Sequence, residues 1–350
     1  LLYHSEITET SEATKLLVEK LNLGPNLKAV DLERLLQIWI LNCFEHSDEP
    51  LGYSTYFMSS FMSHSCYPNA VWHYTGADHV LRARRDINIG DEVCISYLPE
   101  SGLLQSAPVR RMELHDTKRF WCTCERCGTG LEDLSRGFCC PVCQEGIVFA
   151  KTPNAGPAKD GSLLSQQIIG AKCSGCGHVV AKAEATKLST NEQKLQKMVD
   201  NLTKRIEGPP SKQPDAKELQ TVESFIDSNF HQHVLMDLAW QQLADAYAAK
   251  RRSADHRRLL ERRCKFHADA YPGLSGAHAW ALEALGDAMR GINGASEPTA
   301  PEDKKKRVWQ VAAKEDPKAS HQLYTEALKI LRLMFGDDHE YVTDVERKQA

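Results

Sequence analysis

The chain has 350 residues, 42% hydrophobic and 26% charged, enough for two or three domains with cores of their own and too apolar for disorder to be the default. Its 43 basic and 47 acidic residues leave a net charge of −4, which gives no overall field to recruit nucleic acid or an anionic membrane. The longest nearly uninterrupted apolar run, LLQIWILNCF at 35–44, is about half of the ~18–20 residues a bilayer-spanning helix needs, so no membrane partner is expected.

The chain opens on LLYHSEITET, with neither an initiator Met nor a signal-peptide pattern. That start fits either a fragment or a chain whose true start is missing, and without a secretory signal an intracellular location is expected, cytoplasmic, nuclear or both. Residues 12–44 read as helical: ATKLLVEKLNLG runs to a glycine stop, and VDLERLLQIWILNCF starts from a cap at Asp31. From 52 to 98 the pattern changes to strands. AVWHY and HVLRAR around TGAD form a hairpin, and DEVCISYL after INIGD forms a further strand. A short helix is expected at 109–118. The segment 120–180 is too rich in Cys, Gly and Pro for a hydrophobic core of its own. Beyond about 186 helical periodicity takes over: Leu195, Met198, Val199, Leu202 and Ile206 recur at i, i+3, i+4, i+7 and i+11, and Leu323, Tyr324, Ala327, Leu328 and Leu331 do likewise. Breaks at EGPPSKQPD and GINGASEPTAPED suggest an array of paired helices, without a recurring 34-residue signature.

Eight of the twelve cysteines, Cys122, Cys124, Cys127, Cys139, Cys140, Cys143, Cys173 and Cys176, crowd into one stretch in CxCxxC and CxxC spacing. Such spacing favours zinc over disulfides. CPVC at 140–143 and CSGC at 173–176 form the two knuckles of a zinc ribbon, with Cys139 or His178 able to displace one of those four thiolates. Cys122, Cys124 and Cys127 provide three ligands on a tight turn, and a tetrahedral zinc needs a fourth.

GYSTYFMSSFMSHSCYPN, RRDINIGDEVCISYL and RFWCTCERC occur in that order, and together they resemble the SET-domain lysine methyltransferases of the SMYD branch. The helical second half, including EALKILRLMFGDDHEYV, is similar to the superhelical tail of SMYD proteins. The Gly-x-Gly cofactor loop and the MYND module of that branch have no counterpart in these residues, so SMYD-like enzymes such as the apical complex lysine methyltransferase of motile parasites are a second point of resemblance. The resemblance implies an α+β chain: a β-rich SET fold with a helical insert (1–108), a zinc-binding post-SET region (109–182) and an all-α, superhelical, TPR-like C-terminal domain (183–350). It implies a protein-lysine N-methyltransferase that uses S-adenosylmethionine, carries two structural zinc ions and takes the lysine side chain of a protein as substrate. Homodimerisation is compatible with such a tail but does not follow from periodicity.

The site residues follow from the same resemblance. Tyr97, closing DEVCISY, matches the catalytic tyrosine; with a pKa near 10 it orients the amine rather than acting as a base. Asn42, Ser63, His64 and Phe120 match cofactor contacts. Ser63 stands where the family has asparagine, and its shorter side chain carries one donor where the amide has two, so cofactor affinity falls unless a neighbour fills the difference. Phe44 and Tyr56 match channel walls, as does Phe120 by position, and Asn69 is as well suited to the turn after Pro68 as to any ligand. Cys66 becomes the fourth thiolate beside Cys122, Cys124 and Cys127, a zinc ligand rather than a nucleophile. The second set is Cys140, Cys143, Cys173 and Cys176. The rival reading is a catalytically silent SET scaffold that binds proteins through its ribbon and helical array. Ser63 and the missing loop favour it; Tyr97, His64 and the thiolate set count against it.

Overall fold

Ser11 accepts a hydrogen bond from the Thr14 amide and so caps the first helix, α1 (Glu12–Lys20). The structure, a computed structural model, describes residues 10–22, 27–48, 51–76, 78–152, 166–209, 212–291 and 316–350. Glu33 of α2 (Ala29–Asn42) receives hydrogen bonds from Ser11 and Thr14, which ties the two helices together. Here α2 begins before the expected cap: Asp31 lies in its first turn, where a carboxylate suits the positive helix end. The glycine expected to stop α1, Gly24, lies outside the described residues.

Phe44 leaves α2 and opens β1 (Phe44–Asp48), antiparallel to β2 (Leu51–Ser54). β3 (Ser63–His64) pairs in parallel with β6 (Cys94–Ile95), and β4 (Ala70–Thr75) with β5 (Asp78–Ala83) makes the expected hairpin. The strand expected over DEVCISYL shrinks to two residues. Asn69 is the reason: its amide donates to the Glu92 carbonyl and accepts from the Cys94 N–H, both at 2.8 Å, so a side chain replaces a ladder partner. α3 (Ala107–Lys118) then ends at Arg119, which takes the left-handed conformation at φ 61°.

The cysteine-rich stretch contains a hairpin, β7 (Glu132–Cys139) with β8 (Ile147–Lys151). Its third strand comes from the helical half: β9 (Phe230–His233) pairs antiparallel with β7. FHQH carries no β-branched residue and sits between two helical patterns, so only the open edge of β7 makes it a strand. Among the described residues the remaining α-helices are α4 (Lys182–Ile206), α5 (Ala216–Asn229), α6 (Val234–Ala249), α7 (Ser253–Ala270), α8 (Gly276–Met289), α9 (Pro317–Phe335) and α10 (Glu340–Gln349). From α6 onward each packs on the next, the mark of an array. Phe138, Val148 and Ile168 join Leu195, Leu219 and Ile226 in one buried cluster, so the cysteine-rich stretch borrows its core from the helices.

The array also fastens to the end of the β4–β5 hairpin. Buried Arg84 pairs with Glu100 at 2.7 Å and donates to the Leu274 carbonyl, while Glu100 accepts from the Gly276 amide. No described helix is long and apolar enough to cross a membrane.

Candidate active site and metal centres

Parallel pairing sets Ser63 beside Cys94 and His64 beside Ile95, which brings two segments distant in sequence to one place. Tyr97 follows directly. Its amide donates to His64 Nδ1 at 2.9 Å, and its hydroxyl donates to the Met62 carbonyl at 2.5 Å. With its proton committed to Met62, the phenol oxygen keeps lone pairs with which to accept from a ligand. Burial raises the Tyr97 pKa, so the group is a neutral phenol, suited to orienting and not to proton abstraction.

His64 is engaged on both ring nitrogens. Because Nδ1 accepts from Tyr97, the ring proton lies on Nε2, 3.3 Å from the Cys66 sulfur. Burial lowers its pKa to about 4, which keeps the imidazole neutral. The ring therefore links the tyrosine to the cysteine cluster, and its main chain is what remains for a cofactor. Ser63 lies exposed, its hydroxyl donating to Glu92 at 2.5 Å.

A cavity of about 640 Å³ is lined by Asn42, Phe44, Tyr97 and Lys118 on one side and by Trp280, Phe335, His339 and Tyr341 of the helical array on the other. Asn42 is buried at the end of α2, its amide donating back to the Ile38 carbonyl at 2.7 Å. Phe44 meets Trp72 and His79 edge-on at 5.1 and 4.9 Å. Tyr56 stacks on His79 behind Phe44 and does not line the cavity itself. Phe120 packs 6.0 Å from His64 and 6.2 Å from Tyr97, lining a second cavity of about 500 Å³ with Glu92 and Cys94.

Cys66, Cys122, Cys124 and Cys127 converge, as do Cys140, Cys143, Cys173 and Cys176, with all sulfurs of each set within 4.8 Å of one another. Zn–S bonds of about 2.3 Å put tetrahedral sulfurs about 3.8 Å apart. The observed separations include 4.0 and 3.6 Å in the first set and 3.7 and 3.7 Å in the second. Main-chain amides already point at sulfur: Cys66 N–H to Cys124, Val142 to Cys140, Gly146 to Cys143 and Gly175 to Cys173, at 3.3–3.4 Å. These favour thiolates. Cys139 lies outside the second set, and His178 bonds instead to Glu184 at 2.9 Å.

Four contributors escaped sequence reasoning. Arg110, 1% exposed, donates to Cys127 and is held charged, against its burial, by Asp133, Cys66 and Cys127. Arg126 donates to the Cys66 carbonyl at 2.8 Å. Glu92 holds Ser63, and Lys118 lines the larger cavity. Of these only Lys118 carried a signal, its place two residues before Phe120.

The SET domain family matches residues 5–98. That span holds Asn42, Phe44, Tyr56, Ser63, His64, Cys66 and Tyr97, and stops short of Phe120 and the other seven cysteine ligands. The chain is 38% identical over 85 residues to human histone-lysine N-methyltransferase SMYD3, covering 24% of this chain and 19% of that protein. It is 36% identical over 89 residues to the potential protein lysine methyltransferase SET6 of Saccharomyces cerevisiae, 25% of this chain and 23% of that one. N-lysine methyltransferase SMYD2-B of Xenopus laevis is 36% identical over 101 residues, 27% of this chain and 23% of the relative. The chain thus spans under a quarter of the length of these curated relatives.

Proposed function

We propose, from the SET-domain match over residues 5–98 and the likeness to SMYD relatives, that this chain is a SMYD-like protein-lysine N-methyltransferase that uses S-adenosylmethionine. The observation that carries the reading is the placement of Tyr97: a neutral, half-buried phenol with its proton tied to Met62, facing a cavity shared with Asn42 and Phe44. When bound, the cofactor supplies a methyl group on a positively charged sulfur. Tyr97 accepts a hydrogen bond from the incoming amine and aligns its lone pair. Phe44, backed by Tyr56, Trp72 and His79, excludes water and offers aromatic faces to a cation. Asn42 and the main chain of His64 hold the cofactor, Phe120 covers its adenine, and Ser63 acts with Glu92 where the family uses asparagine.

We assign zinc to both thiolate sets on the sulfur spacing. Neither set faces the larger cavity, so both ions are structural. The first pins the segment bearing Phe120 against β3, and the His64 ring connects it to Tyr97. Residues 1–108, 109–182 and 183–350 act as SET portion, post-SET region and helical tail, with β9 bridging the last two. Because Trp280, Phe335 and Tyr341 form the outer wall of the cavity, the substrate is a protein segment that inserts a lysine between SET portion and tail.

The test is mass spectrometry of lysine methylation on candidate proteins, with calorimetry of S-adenosylmethionine binding. Tyr97→Phe is expected to lower turnover at least about a hundredfold while leaving cofactor affinity within about threefold. Equal losses of affinity and turnover would contradict the role given to the hydroxyl, and absence of saturable cofactor binding would favour the silent scaffold.

A further inference from the structure

We infer that Lys118 sets specificity at this site by fixing a positive charge in the cavity wall beside Tyr97, so that a target amine enters in its neutral form and a cationic sulfonium is held less tightly than a neutral thioether. The inference rests on the methyltransferase reading of the cavity.

Lys118 is the last residue of α3, and its side chain reaches across to α2. There Nζ donates to the Leu41 carbonyl at 2.7 Å. That carbonyl is among the last four of α2, which have no partner within the helix, and the negative helix end holds a cation in place. The same nitrogen lies 5.6 Å from the centre of the Tyr97 ring. The side chain is half-buried and lines the cavity with Asn42, Phe44 and Tyr97. Among the described residues it makes no ion pair; Glu45 and Glu340 also line the cavity but are exposed, where water and salt screen them.

The groups that face it leave that charge standing. The Cys43 thiol, pushed up by burial, stays neutral, and the Tyr97 phenol does so for the same cause. Around the rest of the cavity are Glu45, His73, Tyr74, Arg84, Glu100, His339, Glu340 and Tyr341. Glu100 is taken by Arg84, and burial holds His73 and His339 low and neutral. Burial also draws the Lys118 pKa down, and the carbonyl at the end of α2 that Nζ meets favours the charged form against it.

Methyl transfer from a sulfonium to an amine carries one positive charge through the reaction: S–CH₃ breaks as N–CH₃ forms, the thioether leaves neutral and the amine ends as an ammonium that releases a proton to water. A fixed cation therefore opposes the bound sulfonium and a protonated lysine, and leaves a neutral amine and the thioether product untouched. Within one cavity and a partly solvated dielectric, the discrimination amounts to about threefold to tenfold.

Calorimetry on the full chain with S-adenosylmethionine and S-adenosylhomocysteine reads this directly, because the two ligands differ at the sulfur charge. Lys118→Met is expected to shift the affinity ratio toward the sulfonium by about threefold to tenfold. Lys118→Arg, which keeps the charge, is expected to leave the ratio unchanged. In turnover, the acid limb of kcat, which reports the bound amine, moves up by about half to one pH unit in Lys118→Met and stays in Lys118→Arg. A ratio that remains within twofold of wild type in Lys118→Met, with both ligands bound, overturns the inference, as does an equal shift in Lys118→Arg. Should Lys118→Met lose its metal or its fold, Lys118→Gln carries the same expectation. If neither ligand binds the unaltered chain, the methyltransferase reading falls and this inference falls with it.

Discussion

Glu192 closes a buried network that holds the zinc ribbon against the helical array. Its carboxylate receives two hydrogen bonds of 2.7 Å from Arg136 of β7 and a contact of 3.1 Å from His233 at the end of β9. The Arg136 side chain is 1% exposed and that of Glu192 12%. Burial alone would raise the carboxyl pKa, yet Arg136 and then His233 overcome it and hold the group at about 2 instead of 4.5. A folded-state pKa below the unfolded value contributes stability that is fully present above about pH 4.5 and is lost as pH falls toward 2. At 1.36 kcal/mol per pH unit the contribution is about 3 kcal/mol. Glu192→Gln also leaves Arg136 buried without its counter-charge, for which about 3–5 kcal/mol is the usual cost. Urea unfolding of both proteins at pH 7 is therefore expected to differ by about 3–5 kcal/mol, and the difference to shrink between pH 4.5 and 2. Thiolate protonation and metal loss in acid affect the two proteins alike, so the comparison between them isolates the carboxylate. A difference under about 1 kcal/mol at pH 7, or one unchanged down to pH 3, would refute the account.

Elemental analysis is expected to find two zinc ions per chain. Cys66→Ser should lose one and lower thermal stability, since a structural site with three thiolates is incomplete. Gly146→Ala should lose the other: an added Cβ would fall 2.3 Å from the Cys173 sulfur and 2.8 Å from the Gly175 nitrogen. Two ions retained in either variant would place the ligand set elsewhere. Ser63→Asn is expected to change S-adenosylmethionine affinity by no more than about 1.5 kcal/mol, because the exposed side chain leaves room and the amide can still donate to Glu92. A loss above about 2 kcal/mol in calorimetry would mean that the site is packed around the serine after all.

What the sequence determined by itself lies in short-range chemistry. CPVC and CSGC fold as knuckles because two thiolates three residues apart reach one ion, and Leu195, Met198, Val199 and Leu202 line one helix face by period alone. The SHSC segment and ISY were legible as a pair through resemblance, although no spacing along the chain says that His64 sits opposite Ile95. Tertiary structure decided everything that depends on which distant segments meet. Cys66 joins three thiolates 56 or more positions later because β3 lies against the turn they occupy. FHQH becomes a strand because β7 has an open edge, and Glu192 becomes an acid of low pKa because the same strand delivers Arg136 to it. His64 reads in sequence as a cofactor contact, but its ring is turned inward by a Tyr97 amide that only the parallel pairing supplies. Lys118 reads as one more surface lysine at a helix end. Its place two residues before Phe120 hints at the site, but its role is set by the α2 terminus it meets, which depends on packing geometry.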